Sequence, residues 1–197
     1  MRGFKYKKSW TTWIVIIVLV LMALGSYNGM VKLEEAVNAQ WANVENVYQR
    51  RADLIPNLVN TVKGVADFEQ ETLTEVINAR AKATSVTIDP SNLNANSIQQ
   101  FQQAQDGLSS ALSRLMVVVE RYPELKATQN FLELQAQLEG TENRIAVERR
   151  KFNDSARKFN TKIKKFPAML FNKFYGFEPK GYFEAQEGAE IVSEVQF

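Results

Sequence analysis

The stretch WTTWIVIIVLVLMALGSYNGMVKLEEAVNAQWANVENVY (Trp10–Tyr48) decides the fold, because two patterns meet in it end to end. Its first part contains WIVIIVLVLMAL (Trp13–Leu24), an uninterrupted apolar run, and no charged residue occurs from Ser9 to Val31. A helical membrane span needs roughly 20 residues, and residues 10–29 supply them. Trp10, Trp13 and Tyr27 sit where interfacial aromatic side chains belong. A cleaved signal peptide shares the basic start, the short apolar core and small residues such as Ala23 and Gly25. The helical pattern that begins immediately afterwards favours a retained span. Leu33, Val37, Trp41, Val44, Tyr48, Ile55, Leu58, Val62 and Val65 recur at spacings of three, four and seven, which draw one face of a helix. Trp41 and Leu58 are expected in the core. Pro56 falls inside this helix and is expected to interrupt it, because proline removes a main-chain hydrogen bond.

Working outward, glycine (9) and proline (5) are scarce among the 197 residues, which favours helix throughout. Asp67 and Gln70 read as a capping box for a second helix with Phe68, Leu73, Val76 and Ile77 on its apolar side. SVTIDPSNLNANS (Ser85–Ser97) is rich in turn formers. Ser97 and Gln100 read as the capping box of a third helix. It carries Phe101, Ala104, Leu108, Ala111, Leu112, Leu115, Val118, Val119 and Tyr122 on one side. Pro123 suits the first turn of a fourth helix. That helix is expected to run unbroken to about Phe166, with Leu125, Leu132, Leu138, Ile145, Phe152, Ala156, Phe159, Ile163 and Phe166 as its stripe. The predicted fold is all-α: an N-terminal transmembrane helix, then an antiparallel bundle of about four helices, the first and last long. The units are a basic N-terminus (1–9), the span (10–29), the bundle with an aromatic and basic membrane-proximal end (30–178) and an acidic, weakly patterned tail (179–197).

Composition excludes much chemistry. The chain has no cysteine and no histidine, which removes disulfides, thiolate nucleophiles, Cys/His zinc sites, acylated lipoprotein anchors and the usual general base. Neither a nucleophile–base pair nor a phosphate loop can be assembled from what remains, so no catalytic residue, cofactor or metal is expected. The acidic set Glu133, Glu139, Glu142 and Glu148 lacks the histidines of a di-iron bundle. The net charge of +2 hides a layout. Arg2, Lys5, Lys7 and Lys8 precede the span and only Lys32 follows closely, which places the N-terminus in the cytoplasm and the domain outside. The remainder is nearly neutral and offers little general attraction for nucleic acid. Within it, residues 31–143 are acidic and residues 144–180 basic.

Some residues stand out against this background. YNGMVKLEEAVNAQWANVENVYQRRADLIPNLVNTVKG (Tyr27–Gly64), ERYPELKATQNFLELQAQLEGTENRIAVERRKFN (Glu120–Asn153), FNTKIKKFP (Phe159–Pro167) and GYFEA (Gly181–Ala185) together resemble the LemA family of bacterial membrane proteins. The resemblance implies an N-terminal membrane helix, a helical bundle, a bacterial inner membrane and no assigned catalytic residues. It also raises an envelope membrane protease as a partner, because such proteases are often encoded beside family members.

Three constellations remain as candidate sites. Arg50, Arg51 and Asp53, with Glu139 and Glu142 of the last helix, form a possible interaction or ion-pair network. Asn143, Asn153 and Asn160 lie near the inner stripe of the last helix and read either as register-setting polar groups or as surface. Phe166, Phe171, Phe174 and Tyr175, interleaved with lysines, suit a membrane interface. They suit equally a plain seal on the bundle bottom. The expected role is a non-enzymatic structural or interaction protein that self-assembles on membrane lipid at the periplasmic face, with a protease adaptor as the alternative.

Overall fold

The computed structural model describes residues 5–64 and 68–184, with side chains from residue 10. It is all-helical among these residues. Helix α1 runs without a break from Lys5 to Lys63, 59 residues that join the apolar run to the amphipathic stripe. The stripe is buried as expected: Val37, Trp41, Val44, Leu58 and Val62 have no exposed surface. Val65 and Asp67 lie outside the described residues.

Pro56 does not interrupt α1. The carbonyl it orphans is that of Ala52, one turn back. Arg80 of helix α2 (Gln70–Ser85) donates Nε–H to that oxygen at 2.8 Å. A side chain from the neighbouring helix thus replaces the missing main-chain donor, and the proline ring faces solvent. Ile77, expected on the apolar side of α2, is instead 44% exposed.

A single 3₁₀ turn, Pro90–Asn92, leads to helix α3 (Ala95–Val119). Its cap is Asn94, whose side chain accepts from the Ser97 amide at 2.9 Å. Ser97 is therefore inside the helix, and its hydroxyl donates back to the Asn94 carbonyl. Asn is as good a cap as Ser, and here it comes first in the chain.

The expected single helix from Pro123 to Phe166 is two. One turn, α4 (Pro123–Lys126), precedes α5 (Gln129–Lys164). Thr128 is extended and caps α5 with its hydroxyl toward the Phe131 amide. The break resets the helical phase, so Phe131 and Leu134 are buried and Leu132 is half-exposed. A cis peptide joins Phe166 to Pro167, and a short helix, α6 (Ala168–Tyr175), follows. Gly176 ends it with φ +73, a left-handed conformation that favours glycine.

α1 and α5 run antiparallel, as the pairs Arg51–Glu142 and Gln40–Glu148 require. α2 and α3 pack as a hairpin on the upper half of α1. The core is two clusters stacked along the bundle. The upper gathers around Leu58, Val62, Leu115 and Phe131. The lower gathers around Trp41, Phe101, Phe152 and Phe159. Between them lies one polar layer centred on Arg51.

The packed unit continues past residue 178, where the sequence reading placed the start of a tail. Phe177–Glu184 forms an extended strap that turns back along α5. Lys180 and Phe183 are buried in it. Gly181 donates its amide to the Leu93 carbonyl at 2.8 Å. A Cβ there would lie 2.7 Å from the Asn94 carbonyl oxygen, so the strap passes too close to the α3 cap for any other residue.

Candidate functional site: the strap, the polar layer and the bundle foot

The strap is held by its main chain. Asn160 donates Nδ2 to the Lys180 carbonyl and accepts from the Lys180 amide, both at 2.8 Å. Asn153 does the same for Phe183 at 2.9 Å each way. Gln102 of α3 does so for Glu184, at 3.2 and 3.1 Å. Asn172 clasps Phe177 in this manner at 3.0 and 3.2 Å. Four side-chain amides therefore each pair with both main-chain groups of one strap residue. An amide has one donor side and one acceptor side, which matches the edge of an extended residue.

Side chains complete the fastening. Phe183 enters the lower core, stacked on Trp41 at 6.1 Å and edge-on to Phe152 at 5.5 Å. Arg149 covers the outer face of that ring at 4.9 Å. Lys180, 7% exposed, pairs with Glu34 of α1 at 2.7 Å. Asn153 and Asn160 stand out in the sequence near the inner stripe of the last helix, but the segment they hold does not. Asn143 is exposed and takes no part.

Of the five residues proposed as an ion-pair network, the structure joins two. Arg51, 2% exposed, donates Nη1 to Glu142 at 2.9 Å and to Ser109 Oγ at 2.7 Å. Its Nη2 donates to the side chain and carbonyl of Gln105 at 2.8 and 3.2 Å. Its guanidinium also stands 5.1 Å from the Tyr48 ring centre. Burial pushes the Tyr48 phenol up to about 12. Arg50 and Asp53 are exposed at other positions around α1, where Asp53 accepts from Gln49. Glu139 accepts from Gln135 on its own helix. One residue separates Arg50 from Arg51, and about 100° of helix turn sends them to different environments.

The acidic residues of α5 do not converge. Glu133 accepts from Gln129 and Glu148 from Gln40 and Lys151. Among the described residues no group of three or more acidic side chains is placed to hold a metal ion.

At the foot of the bundle, packing begins at Ser26 and Met30, both buried at the end of the apolar run. Tyr27 meets Tyr175 edge-on at 5.1 Å and Phe177 at 5.8 Å. The Tyr175 ring thus turns inward onto α1, and Phe171, half-buried, stacks on it at 6.4 Å. The outward side carries Phe166 and Phe174, 73% and 87% exposed, with Met169 and Leu170 between them. Lys164, Lys165 and Lys173 flank this patch. Trp10 and Trp13 are exposed along the apolar run itself. That run makes α1 the one helix among the described residues long and apolar enough to cross a membrane. Only 11% of its most apolar window is buried, unlike a core helix.

The LemA family profile matches residues 40–197. Magnetosome protein MamQ of Magnetospirillum gryphiswaldense is 26% identical over 194 residues, covering 89% of this chain and 71% of that protein. Magnetosome protein MamQ 2 of Paramagnetospirillum magneticum is 25% identical with the same coverage. Protein LemA of Metamycoplasma hominis is 23% identical over 153 residues, covering 78% of this chain and 66% of that protein.

Proposed function

The chain belongs to the LemA family, and from that premise we propose that it is a non-enzymatic, membrane-anchored scaffold. Its bundle stands on the outer face of the bacterial inner membrane and associates with further copies of itself. The observation that carries this reading is the continuity of α1. One helix runs from the apolar segment to the top of the bundle, with no linker between. From Tyr27 to Lys63 it rises roughly 55 Å at 1.5 Å per residue. A bundle on a flexible tether samples all orientations; one mounted on its own membrane helix presents fixed faces to neighbours. The anchor also concentrates copies in two dimensions. The acidic stretch 31–143 and the basic stretch 144–180 offer complementary charge for head-to-tail contacts, which form rings if the rotation closes.

Imaging the detergent-extracted full-length protein tests assembly directly. Regular homo-oligomers with matching cross-links in membranes are the expected result. A monomer that co-purifies with a membrane protease would replace this reading with an adaptor role. Orientation follows from the basic N-terminus: protease added to intact spheroplasts should digest the bundle, and protection until lysis would invert the topology.

The foot of the bundle rests on the bilayer in this reading. The patch of Phe166, Met169, Leu170 and Phe174 lies beside the end of the apolar run. Its rings would enter the headgroup boundary while the flanking lysines meet anionic lipid, at about 1 kcal/mol each near the surface. The chain has no cysteine, so Phe174→Cys gives a unique labelling site. In vesicles, a fluorophore there should be quenched by spin-labelled lipid, and one at Val117→Cys, high on the bundle, should not. Equal quenching at the two positions would leave the patch as an ordinary protein surface.

A further inference from the structure

An open groove of about 1700 Å³ runs between α3 and α5, with Arg51 in its floor. The strap, in extended conformation, lies between the same two helices and walls the groove at its membrane-proximal end. The strap shows what the lower part of the space between these helices is shaped to hold, because the amide pairs at Asn153, Asn160 and Gln102 grip main chain rather than side chains. Such contacts accept any extended polypeptide whose side chains fit.

Above Glu184 the same groove continues. Asp106, Ser109 and Ser113 on α3 face Gln135, Glu139 and Glu142 on α5. Leu112 and Leu138 supply apolar surface between these polar rows. Charge then selects the occupant. Both guanidinium groups of this half are already paired, Arg51 with Glu142 and Arg114 with Glu75, which leaves the Asp106 and Glu139 carboxylates without a cationic partner among the described residues.

We propose that the upper half of the α3–α5 groove binds an extended, lysine- or arginine-bearing segment of a partner protein, laid along the direction the strap establishes. The chain's own residues 185–197 are the wrong chemistry for it, with Glu187, Glu190 and Glu194 and no basic residue. This site stands apart from self-assembly and does not depend on it.

The probe is a fluorescent decapeptide of alternating alanine and lysine, titrated against the full-length protein in zwitterionic nanodiscs. Saturable binding by fluorescence anisotropy is expected, with none for the alanine–glutamate counterpart. The near-isosteric pair Asp106→Asn and Glu139→Gln should weaken it about 3- to 10-fold. Ser113→Trp, on the exposed wall, should abolish it by filling the groove. Absence of saturable binding, or binding that survives Ser113→Trp, overturns the proposal. A chain ending at Ala185 that binds the peptide when the full-length chain does not also overturns it, and assigns the groove to the chain's own acidic end.

Discussion

Phe183→Ala is expected to lower the stability of the bundle by about 3–5 kcal/mol, the range for truncating a buried aromatic side chain. That is as much as Trp41→Ala, although Phe183 sits in a segment without regular secondary structure. The ring is 5% exposed and touches Trp41, Phe101 and Phe152. Its loss opens a cavity in the lower core, and close ring pairs each contribute a further fraction of a kcal/mol or more. For a chain of this size the shift in melting temperature is about 6–20 °C. Near-ultraviolet circular dichroism of the full-length protein reads it through the Trp41 environment. Gly181→Ala should act in the same direction for a different reason. It puts a methyl group against the Asn94 carbonyl, and neither backbone can yield without freeing the other. Both variants should release the strap, seen as a new protease cut after Gly176. Melts within about 2 °C of the unaltered protein would show that the strap lies on the bundle without contributing to it.

How far the fold was legible follows from what each element leaves in the sequence. The span and the stripe of α1 are patterns of side chains, and Trp41, Val44 and Leu58 fall where the period puts them. The break before α5 is not, because Ala127 and Thr128 interrupt the helix without proline or glycine. The period therefore seemed to run through, and Leu132 was assigned to the wrong face. At Pro56 the local rule held, but its consequence was cancelled from outside. The orphaned carbonyl found Arg80, 28 residues away. The strap was illegible for a physical reason. Its fastenings are main-chain amides and carbonyls, which every residue carries, so Phe177–Glu184 has no periodic signature. Only the asparagines on α5 betrayed it, and an asparagine on a stripe does not say what it binds.

Residues that look alike in sequence also part company in the structure. A membrane-facing aromatic and a core aromatic look alike in sequence. The structure turns Tyr175 onto Tyr27 and leaves Phe174 outside. In the charged cluster, Arg50 and Arg51 are chemically equal, and only the helix phase sends one inward. The phase was readable, since Arg51 lies three residues after Tyr48 and seven before Leu58 on the buried face. The charge discouraged that reading, because arginine is rarely fully buried unless paired.

Arg51 and Glu142 should then show strongly non-additive effects. Glu142→Ala is expected to cost about 3 kcal/mol, because it leaves a guanidinium buried in the bundle with only neutral acceptors. Arg51→Met should cost less, about 1 kcal/mol. The methionine fills similar volume, and Glu142, half-exposed, recovers its hydration. The double variant should resemble Arg51→Met alone, giving a coupling of roughly 2–3 kcal/mol in a double-mutant cycle. Denaturant melts of the four proteins measure it. Additivity within about 0.5 kcal/mol would mean that Ser109 and Gln105 satisfy the guanidinium without Glu142. The asymmetry bears on why a polar layer divides two apolar clusters at all. Apolar surfaces tolerate sliding, and α1 meets α5 along most of the bundle's height. A one-turn slip of α5, about 5.4 Å, would part Arg51 from Glu142 and strand a buried charge. The layer thus favours this one register of α5 against α1. Register matters here because Asn153 and Asn160 stand on the same helix, and the strap they clasp fits only if α5 is held at this height against α1.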